Sequence, residues 1–262
     1  SFSAAHARFV ARRIGKLQAA EPLRMAELLP VPLQAGQRKD RLHAAFAAEV
    51  REACLRLHRD HAETDPVSGK RASFGIVRMA NIEPILAVAR ALIEADMQEG
   101  TRLHLCVYHA RFPLAQRSAI EAMLDATFNR RVPQAVWQLP EIRAALDPKD
   151  AEPDHLFVVL ASPVCEVGRD WDADWALAEP SSMRALIQLA GRVQRHRRNA
   201  PKAPNMLVFN TNLNGIELGN GHGAAFTRPG FEAGDDEQFQ LRSHDLNQLL
   251  AEAEYRPLTA IP

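Results

Sequence analysis

Net charge is the first thing this sequence lacks. Of its 262 residues, 32 are Lys or Arg and 32 are Asp or Glu, so no field of one sign surrounds the chain. Any attraction for a polyanion or a membrane surface has to be local. Cysteine is scarce: Cys54, Cys106 and Cys165 are odd in number, far apart and without CxxC spacing. That excludes a disulfide scaffold and predicts a cytoplasmic protein with reduced thiols. No apolar run approaches the roughly 18 residues of a membrane span, and no signal peptide is visible, so no membrane partner is expected. A phosphate loop of the form GxxxxGK(S/T) is missing as well; SGKR at 68–71 has the lysine without the glycine spacing.

What remains is 47% hydrophobic and 24% charged, ordinary for a globular protein and enough for one α/β core with appendages or for two small domains. The chain opens Ser-Phe-Ser and ends Ile261-Pro262; it reads as a piece of a longer protein. Residues 3–20 read as a helix and 21–40, dotted with proline, as a connector. Alanine-rich 41–62 reads as a helix that DPVSGKR ends. The rhythm then changes. Strands are expected at SFGIVRM (73–79), LHLCVYH (103–109), HLFVVLAS (155–162), DWALAE (174–179) and NMLVFNT (205–211). Helices are expected at about 82–98, stopping at Gly100, and from Pro113 to Phe128 with proline in the first turn. Short apolar strands alternating with helices predict an α/β fold, a mostly parallel sheet with helices on both faces. The units are a helical lead-in over 1–69, the α/β lobe over 70–212, and a tail over 213–262. In the tail, GNGHGAAFTRPGFEAGDD is a loop and acidic 235–254 is expected to be helical.

One stretch breaks the charge neutrality. SMRALIQLAGRVQRHRR, 182–198, carries five arginines and no acid. Read as a helix, it sets Leu186, Leu189, Ala190 and Val193 on one stripe at i, i+3, i+4 and i+7. Gln188, Gly191, Arg192 and Arg195 repeat that spacing two residues displaced, about 200° round the axis. One face docks on a sheet, and the other offers an amide, a glycine and two guanidinium groups. A solvated basic face would look similar. Glycine, however, costs about 1 kcal/mol in a helix interior, so Gly191 implies a spatial demand, and arginine is the side chain that best matches phosphate oxygens.

The pattern Gln188-x-x-Gly191-Arg192-x-x-Arg195 resembles motif VI of superfamily 2 helicases, whose two arginines reach the γ-phosphate of ATP on a neighbouring RecA-like lobe. Just upstream, SPVCEVGRDWDADW (162–175) resembles motif V, with Glu166, Gly168 and Asp170 at matching positions; Asp170 is expected near the nucleotide ribose or an arginine. YHARFPLAQR (108–117) resembles motif IV of one subfamily, with Ala110 where serine is usual. Together with WALAEPSSMRALIQLAGRVQRHR, GIVRMANI and NTN at 210–212, these motifs make the chain similar to the CRISPR-associated superfamily 2 helicase–nucleases of type I systems, the I-F branch in particular. The likeness spans about 70–218. It implies the second RecA-like lobe of an ATP-dependent DNA helicase that unwinds and degrades invading DNA. Arg192 and Arg195 are then the catalytic arginine fingers, with Gln188, Gly168 and Asp170 also on ATP, and His109, Arg111, Glu166 and Arg169 on single-stranded DNA.

The resemblance also implies what is absent: the phosphate loop, a DExx box for magnesium and the His-Asp signature of the nuclease. ATP and Mg2+ would then be bound mainly by a missing first lobe, and this piece alone is expected to be inactive. The other implied partners are the nuclease domain and an RNA-guided surveillance complex. No metal site is expected. Asp170, Asp172 and Asp174 alternate along an extended run, and so do His104 and Cys106 ahead of His109, so neither set converges on an ion. Trp171 and Trp175 are read as core rather than as base-stacking platforms. Two other functions fit less of the pattern: another superfamily 2 helicase, of repair or RNA type, and a non-catalytic RecA-like binding module.

Overall fold

Short, mostly apolar segments assemble one sheet in the computed structural model, which describes residues 2–18, 21–197, 199–219, 223–227, 230–233 and 239–259. The strands are β1 (Ala26–Leu29), β2 (Glu63–Thr64), β3 (Arg71–Arg78), β4 (Thr101–Tyr108), β5 (Asp154–Ala161), β6 (Trp175–Ala178) and β7 (Met206–Phe209). Their spatial order is β1-β7-β6-β3-β5-β4, with β2 pairing the start of β3. Every pair along that order is parallel, and only β2–β3 is antiparallel. The helices are α1 (Phe2–Gln18), α2 (Lys39–His61), α3 (Ile85–Glu94), α4 (Leu114–Thr127), α5 (Pro140–Leu146), α6 (Met183–Ala190), α7 (Leu213–Leu218), α8 (Leu246–Leu249) and α9 (Glu252–Tyr255), with 3-10 turns at Pro133–Gln138 and Pro163–Glu166.

Because strand side chains alternate, a sheet with two apolar faces builds two cores. Phe74, Ile76, Val159, Ala176 and Val208 point to one, packed with Leu124 of α4, Ile142 of α5 and Leu186 and Leu189 of α6. Val77, Val158, Leu160, Leu177 and Leu207 point to the other, against Phe46 and Val50 of α2, Val88 of α3 and Ile216 of α7. Helices therefore cover both faces, as the alternation of strands and helices predicts. Trp175 fills the seam between β6 and β3, its ring lying over its register partner Gly75, where an added Cβ would come within 2.2 Å of it. Trp171 is buried too, stacked on Phe128, with its indole N–H on Asp125 at 2.6 Å. Both tryptophans are core residues. Among the described residues no helix is long and apolar enough to cross a membrane, and all three cysteines are unpaired.

All five expected strands form. The segment 21–40 differs from its reading as a connector, because residues 26–29 are β1, the edge strand on β7. Four residues ahead of Pro30 carry too short a pattern to register as a strand. Tertiary bonds define it instead: Asn205 Oδ1 accepts Met25 N–H at 2.9 Å, and Arg56 grips Glu27 with two bonds of 2.6 Å. The helix expected over 82–98 shortens to α3, with Pro84 as its N-cap residue and Ala95 already extended. The acidic tail, expected to be helical over 235–254, holds only the single turns α8 and α9 there; residues 234–238 lie outside those described.

Candidate functional site

Helix α6 starts where Ser182 Oγ accepts the N–H of Ala185 at 3.2 Å, a serine N-cap. Its stripe of Leu186, Leu189 and Ala190 is buried, and Val193 beyond it is buried as well. The helix does not run to 198. It ends at Ala190 with Gly191 as the C-cap residue, so the arginines project from a turn rather than from a helix face, and Gly191 is not interior. Competing bonds explain the break. Val193 forms a parallel bridge with Ala173. Asp172, fully buried, accepts the N–H groups of Arg195 at 3.1 Å, His196 at 2.9 Å and Arg197 at 3.1 Å. Those three donors would serve i−4 carbonyls in a continuing helix. Gln194 takes φ +48°, a left-handed conformation that a side chain adopts only when its surroundings impose it. Arg24 Nε closes the helix end, donating to the carbonyls of Ala190 at 3.1 Å and Val193 at 2.8 Å.

The acids that the arginine run lacks come from elsewhere in the chain. Arg197 is buried between Asp172 at 3.0 Å and Asp174 at 2.6 Å and reaches Glu63 of β2 at 2.9 Å. Buried Arg130 joins the same network through Glu63 at 2.8 Å. Burial alone would raise the Asp172 carboxyl, but the hydrogen bond and charge of Arg197 hold it below the usual range. Arg195 is different: its side chain is 41% exposed and is paired with Asp170, while Arg131 takes the other oxygen of Asp170 at 2.5 Å. The Arg131 hydrogen bond, more than the one from Arg195, drives the Asp170 carboxyl far below its ordinary range.

Arg192 is half-buried, and burial lowers its pKa, with the neighbouring Arg195 charge adding to the effect. Its Nη2 donates to the Glu166 carbonyl at 2.7 Å, while its buried Nε has no partner. Gly168 adopts φ +66° with open space around its missing Cβ. A Cβ on Gly191 would meet only the carbonyls of Gln188 and Ile187, from its own helix. Arg192, Arg195 and Asp170 thus converge, with Gly191 beneath Arg195 Nη1 at 3.1 Å and Gln188 one helical turn before Arg192. Two guanidinium groups on a fixed turn, one with its Nε lacking an acceptor and one on an exchangeable carboxylate, suit an anion with several oxygens.

The residues expected on DNA do not share one surface. Glu166 is buried, with Arg78 Nε donating to Oε1 at 2.6 Å; burial raises its carboxyl although Arg78 opposes the shift. An acid in that position cannot reach a solvent-borne strand. Arg169 is folded back onto Glu121 at 2.6 Å and Asp125 at 3.0 Å. His109 is buried, stacked on Phe112 at 4.3 Å, and its Nδ1 accepts the Arg111 N–H at 3.2 Å. Arg111 alone faces outward. It lines a cavity of about 270 Å³ beyond the carboxyl ends of β3, β4 and β7, together with Lys39, His43, Asn81 and Asn214.

Sequence reasoning missed Arg78, which stands in GIVRMANI but carries no role there, and Arg131, which stands in no quoted motif; both take meaning only from Glu166 and Asp170 across the fold. It also missed a Ser73–His58–Asp154 chain that runs from the core to a half-buried carboxylate, with Nδ1 to Oγ at 2.8 Å and Nε2 to Oδ1 at 2.9 Å. Ser73 is wholly buried and its Oγ accepts the Trp175 indole N–H at 3.0 Å; that chain pins α2 to the sheet rather than activating a nucleophile. Among the described residues no group of three His, Cys, Asp or Glu is placed to hold a metal.

Residues 71–198 match the family model of the CRISPR-associated nuclease/helicase Cas3, C-terminal. Over 265 residues the chain is 44% identical to the CRISPR-associated nuclease/helicase Cas3 subtype I-F/YPEST of Pectobacterium atrosepticum, covering the whole chain and 23% of that protein. Against the protein of the same description from Pseudomonas aeruginosa the identity is 46% over 264 residues, covering 24% of it. The chain therefore spans about a quarter of the length of these relatives. Among solved structures, T. fusca Cas3 with AMPPNP aligns with 74% of this chain and 19% of its own at 18% identity and a TM-score of 0.48.

Proposed function

Since the chain belongs to the C-terminal helicase region of the Cas3 nuclease/helicases of subtype I-F, we propose that it is the second RecA-like lobe of an ATP-driven DNA translocase, with Arg192 and Arg195 as its arginine fingers. The observation that carries this reading is the state of the pair. Arg192 has a buried Nε without an acceptor, and Arg195 rests on a carboxylate at the surface. The donor set fits a triphosphate, because planar guanidinium groups pair with phosphate oxygens bidentately. A bound ATP supplies a phosphoanhydride bond whose cleavage sends negative charge to the leaving oxygen, while the equatorial oxygens of the terminal phosphoryl group share the rest. Arg192 and Arg195 would hold that group, and Gln188, Gly168 and Asp170 would face the rest of the nucleotide. Arg195 trades its Asp170 partner for phosphate oxygens, and the Asp172-bound turn keeps both arginines aimed while it does so. Asp170 keeps Arg131 when Arg195 leaves it, and a magnesium ion bound with the nucleotide would be held mainly by a first lobe outside this chain.

For DNA, Arg111 is the residue we assign to the phosphate backbone, with Lys39 and His43 beside it in the same cavity. Such grip is salt-dependent and indifferent to base sequence. The phosphate loop, the nuclease site and the surface that meets an RNA-guided surveillance complex would lie in the part of the protein outside this chain, and this piece by itself would not hydrolyse ATP. The test is single-stranded-DNA-stimulated ATP hydrolysis by the full-length protein, wild type beside Arg195→Ala. A loss of about 10³-fold or more with DNA binding retained is expected of an arginine finger. Unchanged turnover would sink the reading.

A further inference from the structure

We propose that Arg78 is a positioning residue for Arg192, an inference that rests on the nucleotide-facing role of Arg192 given above. Arg78 ends β3, yet it is only 1% exposed, unusual for an arginine unless all of its donors are used. Its three nitrogens go to three residues on two segments, the turn after β5 and the connection from β6 to α6. Nε donates to Glu166 Oε1 at 2.6 Å, Nη1 to the Glu179 carbonyl at 2.7 Å, and Nη2 to Ser181 Oγ at 2.6 Å. Glu166 closes the 3-10 turn after β5, Glu179 follows β6, and Ser181 immediately precedes the N-cap of α6.

Arg192 depends on both of those segments. Its Nη2 donates to the main-chain carbonyl of Glu166 at 2.7 Å, the residue whose side chain Arg78 grips. Its backbone is delivered by α6, whose start Arg78 fixes through Ser181. One buried guanidinium thus sets the distance between the acceptor that orients the Arg192 head and the helix that carries its stem. A rigid planar fork can hold three acceptors at fixed relative positions; an ammonium on a flexible stem cannot. The nucleotide never meets Arg78, which acts only through Glu166 and α6.

A residue that merely stabilised the lobe would be expendable once stability was restored, and the experiment separates the two roles. In the full-length protein, Arg78→Lys keeps the charge but loses the three-way grip. The pair Arg78→Met/Glu166→Gln removes both buried charges together, a change buried ion pairs often tolerate. We expect at least one of these to unfold close to the wild-type temperature, with kcat for DNA-stimulated ATP hydrolysis down about tenfold or more and KM for ATP within about twofold. Adding Arg192→Ala should then cost much less than Arg192→Ala costs alone, since the two act through one unit. A folded variant with wild-type kcat, or fully additive losses, overturns the inference. Loss of fold in both also overturns it, because Arg78 would then be a stabilising residue. Wild-type turnover in Arg192→Ala alone would instead refute the nucleotide reading on which the inference stands.

Discussion

Replacing Asp172 with alanine should open the turn that carries the arginine pair while the lobe stays folded. The carboxylate accepts three main-chain N–H groups between 2.9 and 3.1 Å and binds the Arg197 side chain at 3.0 Å, all in a fully buried setting. Hydrogen bonds to a charged acceptor contribute about 1.5–3 kcal/mol each, and removing one partner of a buried ion pair costs about 3–5 kcal/mol. These contributions do not add, because they share one desolvated carboxylate and Arg197 keeps Asp174 and Glu63. The loss expected is therefore about 4 kcal/mol, within the roughly 5–15 kcal/mol that a domain possesses. It falls on 195–197, where the left-handed Gln194 loses the bonds that justify its conformation. Amide hydrogen exchange on the full-length protein reads this directly. Protection over 195–197 should fall by roughly 10³-fold, with a smaller change in β5, and DNA-stimulated ATP hydrolysis should drop as in Arg195→Ala. Unchanged protection would refute the account of why the helix stops at Ala190. Lost protection with full turnover would refute the claim that the turn aims the arginines.

Two further outcomes follow from the cores. Gly75→Ala should destabilise the lobe by about 1–3 kcal/mol or more, since its Cβ would stand 2.2 Å from the Trp175 ring; Gly75→Ala with Trp175→Leu should recover part of the loss in the same hydrogen-exchange measurement on β3, and no recovery would place the strain elsewhere. Burial, followed by the charges of His155 and Arg102, depresses His104 from 6.5 to about 4. Between those values the unfolded chain binds the extra proton, so stability is complete above pH 6.5 and declines as pH falls through the window. His58, His109 and His155 are lowered too and act with the same sign. Protection of β4 and β5, corrected for intrinsic exchange, should weaken between pH 7 and pH 4.5, and His104→Phe should flatten that dependence.

The sheet was legible because β3, β5, β6 and β7 carry apolar residues at consecutive positions, a signal that survives without knowledge of their neighbours. β1 was not legible: its identity as a strand resides in Asn205, Arg56 and the edge of β7. The arginine stretch shows the same division. Its apolar stripe was correct as far as Ala190. Beyond that point the local pattern continues as a helix, while Asp172 and Ala173, some twenty residues earlier, take the backbone donors and end it. Asp170 does pair with Arg195, one of the two neighbours that its motif resemblance implies. At Glu166 and Arg169 the sequence did not reveal the partners that absorb the side chains, Arg78 for the one and Glu121 and Asp125 for the other, because a motif position specifies a residue type and not its neighbours across the fold.

Arg24 stands two positions ahead of β1, and its guanidinium sits on the carbonyls of Ala190 and Val193, the two residues that bracket the turn at Arg192. β1 lies parallel to β7, so tension along the segment before it loads that ladder in shear, where bonds must yield together. The chain is moored twice within a few residues, first to the arginine turn and then to the sheet. Mechanical load arriving along residues 21–25 consequently reaches the carbonyls on either side of Arg192 before any strand can slip.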